Sequence, residues 1–433
     1  MSIPDFSPNQ NGKIQRVGRR YLAEKLNHAR IVLLREPLLL PFYILALPAV
    51  LIIRLIKPLL LVRFGGLISR RIGHFAGNTE LYFCERDAGI NVPNIKYIDL
   101  FYMSKPICNQ QLAKMWKRSG LRIWPFLILN PIYRVNRILP GGAVHEIGEN
   151  TQIDRDVHNL LDRFPPHLGF TPEEETRGEF GLIEMGIPVN AQFVCLIVRD
   201  SAYLEDHLPT RDWSYHSFRD SNIQNYILAA EELAEHGYFV IRMGAKVCEA
   251  MKTTHPKVID YATNGMRSDF MDIYLGAKCA FCISVGTGFD AISVIFRKPI
   301  VYVNFVSLGF LATFRSQYLA ITKHHRLLSE DRELTFREIF TLTGFLSYTS
   351  DYESRGVQLV QNSPEEIRDI VIEMAERLKG LWQPNADDES LQRRFWEIFP
   401  ADAIALHNKK PLHGEIRSRY GADFLRNNRD WLI

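Results

Sequence analysis

Four apolar runs between residues 193 and 303 constrain this chain more than anything else in it. Residues 193–198 (FVCLIV) are closed by Arg199-Asp200-Ser201, residues 238–241 (YFVI) by Arg242-Met243-Gly244, and residues 280–285 (AFCISV) by Gly286-Thr287-Gly288; residues 300–303 (IVYV) make the fourth. Runs that are apolar on both faces belong to strands covered on both faces, the condition of a parallel sheet between helix layers. The segments between them have helical character: 222–236, stopped by Gly237; 268–278, with Ser268 as N-cap and Asp269 in the first turn; and 289–296 after the glycines. In such sheets ligands bind beyond the carboxyl ends of the strands. Here those ends offer arginines, a glycine-rich turn and a helix start, the groups that an anionic phosphate ligand requires.

The 433 residues are too many for one ordinary core and suit two or three domains. A second, earlier α/β pattern supports this. Residues 61–64 read as a strand turned by Gly65-Gly66, residues 69–84 become helical in their second part, residues 97–102 read as a strand, and residues 110–118 as an amphipathic helix. A charged, Pro- and Gly-containing stretch over 164–188 reads as a linker. The expected organisation is therefore α/β, with two Rossmann-like domains facing across a cleft and a membrane-associated apolar helical segment before them. The boundaries are 1–62 for a basic arm and the apolar segment, 63–188 for the N-terminal domain with its linker, 189–380 for the ligand-binding domain, and 381–433 for a helical tail. The late helix 364–379 has Ser363 as N-cap and Pro364 at its first position. The tail aromatics Trp382, Phe395, Trp396 and Phe399 are expected in packing, where they could anchor the tail to the first domain.

With 46% apolar and 23% charged residues the chain is globular, and a net charge of +3 provides no global field for nucleic acid. Residues 1–35 are locally basic, with Lys13, Arg16, Arg19, Arg20, Lys25, Arg30 and Arg35 against Asp5 and Glu24. An apolar run from residue 37 to residue 53 follows, broken by Pro41 and Pro48 and flanked by basic residues. Three readings stand: a monotopic or re-entrant anchor, which we place first, a single span, and a buried helical hairpin. The flanking charge favours an anionic membrane surface, and the expected location is the cytoplasmic face of a bacterial inner membrane. The six cysteines lie mostly in apolar stretches, as buried thiols of a reducing compartment do, and the Cys279/Cys282 pair lacks the second pair of a zinc or redox site.

The motifs Arg199-Asp200-Ser201-Ala202-Tyr203, Asn225-Tyr226, residues 237–244 (GYFVIRMG), residues 268–272 (SDFMD), Gly286-Thr287-Gly288-Phe289-Asp290 and Arg297-Lys298-Pro299 stand together in one half of the chain. With Arg71-Ile72-Gly73-His74-Phe75 and Asn78-Thr79-Glu80, the chain resembles a family of bacterial glycosyltransferases of the GT-B architecture that is associated with surface polysaccharide synthesis. The likeness covers roughly residues 63–400. It implies transfer of a sugar from a nucleotide-sugar donor to a glycan or lipid-linked acceptor, with the donor as co-substrate and no further cofactor. Alternatives on the same scaffold are a pyruvyl transferase or a sugar-nucleotide epimerase; a non-catalytic subunit of a polysaccharide assembly complex is a third.

The candidate donor site comprises Arg199, Asp200, Arg219, Arg242, Gly244, Lys246, Gly286, Thr287, Gly288 and Asp290. Glycines let backbone amides approach an anion, the Thr287 hydroxyl can donate to a phosphate oxygen, and bidentate guanidinium groups suit a diphosphate without a metal. The plainer readings are a bare turn at 286–288, an ion pair of Arg199 with Asp220, and a helix-start role for Asp290. His74 is the candidate general base, with Glu80 and Asp99 as rivals. His324-His325 reads as a solvated loop pair, and no histidine spacing points to a metal site.

Overall fold

The computed structural model describes residues 40–148, 155–202, 214–405 and 409–433; the basic arm and Tyr203 lie outside them. In chain order the first elements are α1 (Leu40–Leu55), β1 (Leu61–Leu67), α2 (Ile72–Asp87), β2 (Tyr97–Met103), α3 (Gln110–Arg118), α4 (Phe126–Ile138) and α5 (Pro172–Glu184). The sheet region follows with β3 (Phe193–Ile197), α6 (Ile227–Glu235), β4 (Phe239–Met243), β5 (Val258–Ile259), α7 (Asp269–Lys278), β6 (Cys282–Ser284), α8 (Asp290–Ile295), β7 (Ile300–Phe305) and β8 (Tyr318–Thr322). The remainder is β9 (His324–Leu327), β10 (Arg332–Glu333), α9 (Phe336–Leu342), α10 (Thr349–Ser354), β11 (Val357–Val360), α11 (Pro364–Lys379), α12 (Asp388–Ile398), β12 (Arg419–Tyr420) and α13 (Ala422–Asn427).

The chain forms two compact units. Of the described residues, the first holds 40–68, Asn91–Lys105 and 120–148; the second holds Ser69–Ile90, Pro106–Ser119 and the described residues from 155 onward. The second is built on a seven-stranded sheet in the order β12-β8-β7-β6-β3-β4-β5, with every neighbouring pair parallel. Its six strands β3 to β8 have the 3-2-1-4-5-6 order of a doubly wound α/β sheet, with β12 added at one edge. The apolar runs explain why: every residue of β3 and β8 is buried, so helices must cover both faces. The helix ends follow the sequence cues. Ser268 caps α7 by accepting from the Met271 amide, and Ser363 with Glu366 forms a capping box at α11, which stops at Gly380 with φ +69°.

Several expectations fail here, for physical reasons. The stretch 63–188 does not fold as one domain. Its helices α2 and α3 belong to the second unit, where they pack on α8 and α7 respectively. The Trp116 indole donates to the Phe75 carbonyl at 3.0 Å, and Asn109 donates to the Asp269 carbonyl at 2.9 Å. The first unit is left with the parallel pair β1-β2 rather than a doubly wound sheet. Gly65 and Gly66 do not turn the chain; they run within β1, where a Cβ on either would come within 3 Å of the facing Phe101 or Tyr102 ring. The supposed linker contains α5, whose Thr171–Glu174 capping box starts a helix that packs on α7. The tail aromatics Phe395 and Phe399 pack on Phe336, Phe340 and Tyr420 within the second unit. His325 is fully buried, and His324 pairs with Glu366 at 2.9 Å, so these histidines are strand residues rather than a solvated loop. Among the described residues no helix is long and apolar enough to cross a membrane.

Candidate functional site

β3 and β6 are neighbours in the sheet, and the chain leaves them in opposite directions, through α6 to β4 and through α8 to β7. A doubly wound sheet opens its ligand crevice above such a reversal. The residues that follow these two strands are Arg199 and Gly286-Thr287-Gly288.

The glycine turn is held from within. Gly286 adopts φ +76°, and a Cβ there would lie 2.7 Å from the Phe305 ring. The Gly286 amide donates to Ser284 Oγ at 3.0 Å, Ser284 Oγ donates to Asp290 Oδ2 at 2.7 Å, and the Thr287 amide donates to the same carboxylate oxygen at 3.0 Å. Asp290 therefore shapes the turn, and two of the amides expected to meet an anion are already engaged. What remains is the Thr287 hydroxyl. It is buried and finds no hydrogen-bond partner among the described residues. A buried, unpaired hydroxyl needs an explanation, and a bound acceptor supplies one.

Basic groups gather around this turn. Arg219 Nη2 donates to the Gly286 carbonyl, and burial together with the Arg199 charge pulls its pKa below the usual guanidinium value. Arg199 donates Nε to Asp220 Oδ1 at 3.1 Å, so the ion pair with Asp220 exists. Burial nevertheless raises the Asp220 carboxyl against the pull of Arg199 and Lys323. Lys323, 3% exposed at the end of β8, donates Nζ to the carbonyls of Asp220 at 2.7 Å and Phe218 at 3.0 Å. It thereby pins the 3-10 turn Ser214–Arg219 over the strand ends. Burial lowers its pKa to about 8, with Asp220 opposing. In the same turn His216 is brought down to about 4 by burial and by the charges of Arg199, Arg219 and Arg71, so it is neutral at pH 7.

Arg71 is the N-cap of α2. The helix starts with no side-chain cap and no acidic residue in its first turn, so its first amides lack the usual internal partner. Its start abuts the glycine turn closely: a Cβ on Gly73 would lie 2.8 Å from Gly288 Cα. His74 follows, half-buried, with Nδ1 3.4 Å from Asn78 Oδ1. The candidate base thus belongs to the same compact unit as the glycine turn.

The structure brings together Arg199, Arg219, Gly286, Thr287, Gly288, Asp290 and the helix start that carries His74. It does not bring the rest. Arg242 is 1% exposed and donates to the Glu249 carbonyl at 2.5 Å and Asp260 Oδ2 at 3.2 Å, with Asp200 Oδ2 at 3.9 Å. Asp200 accepts from the amides of Ala202 and Cys248, fixing the loops after β3 and β4. Gly244 is a packing glycine against Val247 and Ala262, and Lys246 is exposed on the same loop. Asp99 lies in the first unit, opposite Arg63 in the β1–β2 register, and takes its guanidinium in two bonds of 2.7 and 2.6 Å. Glu80 is fully buried between Arg297 at 2.5 Å and His167 at 3.0 Å. These carboxylates hold cations and are not placed to take a proton from a substrate.

Glu80, Cys84 and His167 have ligand atoms within 4.8 Å of one another. The Arg297 guanidinium already touches both Glu80 and Cys84 Sγ, the latter at 3.6 Å. Burial first, then Glu80, pushes the Cys84 thiol up to about 12, whereas metal ligation needs the thiolate. The cluster is an ion-pair knot that ties α2 to the end of α8. Arg71, His216 and Lys323 escaped the sequence reading as site residues. Lys323 left a trace, as a charge directly after the apolar run 318–322.

No protein-family model matches the chain, and a comparison with curated proteins finds no match. Among solved structures, the family 9 glycosyl transferase from Veillonella parvula is 11% identical over 56% of this chain and 80% of its own, with a TM-score of 0.36. The E. coli ADP-heptose LPS heptosyltransferase II is 14% identical over 56% and 84%, with a TM-score of 0.31. The E. coli heptosyltransferase WaaC, solved with ADP-2-deoxy-2-fluoro heptose, is 12% identical over 60% and 92%, with a TM-score of 0.29. Overlap this loose transfers neither a residue role nor an activity.

Proposed function

We propose that the second unit binds a nucleotide sugar by its diphosphate at the β3/β6 crevice and transfers the sugar to a glycan or lipid-linked acceptor. The observation that carries the reading is the Thr287 hydroxyl, buried and without a partner among the described residues, set in a turn to which Arg219 is bonded and whose neighbourhood holds the charges of Arg71 and Arg199. A diphosphate offers oxygens for the hydroxyl and the guanidinium groups together. In this reading side-chain cations supply the charge that a divalent ion supplies elsewhere, so the reaction is metal-independent.

The transfer breaks the bond between the anomeric carbon and the diphosphate oxygen and forms one from that carbon to an acceptor oxygen. The acceptor proton passes to His74, and the nucleoside diphosphate leaves with the bonding electrons. Arg199, Arg219 and Thr287 stabilise the charge that grows on the departing oxygen, and fixed donors aimed at developing charge are the largest common source of rate enhancement. Imidazole is the side chain most often used as a general base.

The test is a thermal-shift screen over UDP-, GDP-, CMP-, ADP- and dTDP-sugars, followed by product analysis with the hit. A ligand at a hundredfold its Kd stabilises by about 2.7 kcal/mol, which moves the midpoint by several degrees. If no nucleotide moves it, or the shift is unchanged in an Arg199→Ala/Thr287→Val double variant, the assignment is wrong. Hydrolysis or epimerisation of the donor alone, with no acceptor product, would favour a different reaction at the same site.

A further inference from the structure

The helix α1 is apolar on every side. Ala46 and Val50, one turn apart, are buried on the face that packs toward α4, and Ile53 and Ile56 continue that face into the core of the first unit. On the opposite face Ile44, Leu45, Leu47, Leu51, Ile52 and Leu55 are between 46% and 80% exposed. Their spacing of three, four and seven residues forms one continuous stripe. The partner helix adds exposed Leu127 and Ile128, with Trp124 just before it. Soluble monomers rarely leave so much contiguous apolar surface in water.

We infer that this helix pair docks the first unit onto an anionic membrane surface, with α1 lying in the interface rather than crossing it. Two observations name the occupant. The first is charge. α1 and α4 contain no acidic residue, and Arg134 lies on α4 with Lys57 and Arg122 close by in the chain, whereas Arg54 is bonded to Asn136 and Arg137 is paired with Glu146. Such a pattern suits anionic headgroups. The second observation is packing. One side of the helix is committed to α4, so its exposed apolar residues form a single face. A helix buried on one flank and apolar on the other lies flat at the headgroup boundary. The residues that lead into it, 1–35, carry seven basic side chains against two acidic ones. This surface lies within the first unit and does not depend on the nucleotide reading.

Vesicle flotation of the full chain tests the inference. The protein is expected to float with mixed phosphatidylcholine–phosphatidylglycerol vesicles and more weakly with phosphatidylcholine alone. A triple Ile44→Gln/Leu51→Gln/Leu55→Gln variant should bind at least about tenfold more weakly with its thermal midpoint unchanged, since these side chains face away from the core. If the triple variant does not fold, Leu55→Gln alone, in the last turn, serves in its place with a smaller loss. Tryptophan emission should shift to the blue on vesicles, and Trp124→Phe should remove most of that shift. Equal flotation of variant and parent overturns the inference. So does a parent that ignores both vesicle types, or one that sediments as a dimer which the triple variant dissociates.

Discussion

β3 and β4 lie side by side, and each brings an arginine to its carboxyl end, yet the two arginines do different work. Arg242 is the fourth residue of β4, with its Cα opposite Leu196, still within β3. Its side chain therefore leaves the sheet inside the covered layer, where Asp260, Asp200 and the Glu249 carbonyl surround it. Arg199 lies two residues beyond the end of β3, half-buried above the reversal of the sheet, and among the described residues its side chain bonds to Asp220. A difference of three positions in register separates a core cation from a crevice cation. An arginine that completes a buried strand must bring its counter-charges into the core, whereas one just past the end is free to meet a ligand.

The largest effect expected from this contrast is on stability. Arg242→Leu removes a buried cation and leaves the half-buried carboxylates of Asp260 and Asp200 without it, a loss of about 3 kcal/mol. Urea unfolding should show it, while nucleoside diphosphate affinity, measured where the variant is folded, stays within about twofold of the parent. A variant that folds normally but no longer binds would reverse the roles of the two arginines. Arg199→Gln should do the opposite. Its exposed-side ion pair is worth under about 1 kcal/mol, but loss of a charged hydrogen bond to phosphate costs about 1.5–3 kcal/mol, roughly 10- to 100-fold in affinity by calorimetry.

What could be read in advance follows the same line. The apolar runs told where the strands of the large sheet lie, because a strand buried on both faces has no choice of composition, and Ser268, Ser363 and Gly237 punctuated its helices. The glycine turn and Arg199 were legible as strand-end groups for the same reason: small and charged residues interrupt the pattern where the strands stop. The destination of α2 and α3 was not legible. Their burial against α8 and α7 depends on contacts such as Gly73 with Gly288, about 215 residues apart, and nothing local marks a helix as belonging to a distant sheet. The ion-pair partners of Asp99, Glu80 and Arg242 were hidden likewise, since a carboxylate that faces an arginine across a strand pair looks the same in sequence as one that faces water.

Thr287→Val sharpens the contrast further because it should move stability and binding in opposite directions. The substitution keeps the shape and removes a buried hydroxyl that has no partner among the described residues. The free protein should gain about 0.5–1 kcal/mol in urea unfolding, since an unpaired polar atom is no longer buried. Affinity for a nucleoside diphosphate should fall about five- to tenfold, the worth of one hydrogen bond to a charged acceptor. A Thr287→Ser variant should restore binding. If valine weakened the fold instead, the hydroxyl would have a structural partner and the turn would lose its claim on a ligand.

The smallest effect is a slope. With its pKa lowered to about 8 by burial, Lys323 loses its charge in the free folded protein as the pH rises through that value, while the unfolded chain stays protonated until about 10.4. Between those limits the unfolded state binds more protons, so this group makes stability rise with pH. Binding should run the other way. An anion in the crevice favours the ammonium form, so above about pH 8 binding takes up protons and the affinity falls as the pH rises. The ligand phosphates are fully ionised there and contribute no slope. Asp220, the acidic neighbour, is already charged in this range, because its raised pKa starts from a carboxylate value. Lys323→Met should flatten the curve between pH 8 and pH 10 whatever it does to the absolute affinity, because the Phe218 and Asp220 carbonyls lose their donor at every pH. A slope that survives in the variant would mean that the titrating charge sits elsewhere, and that Lys323 only ties the turn to the sheet.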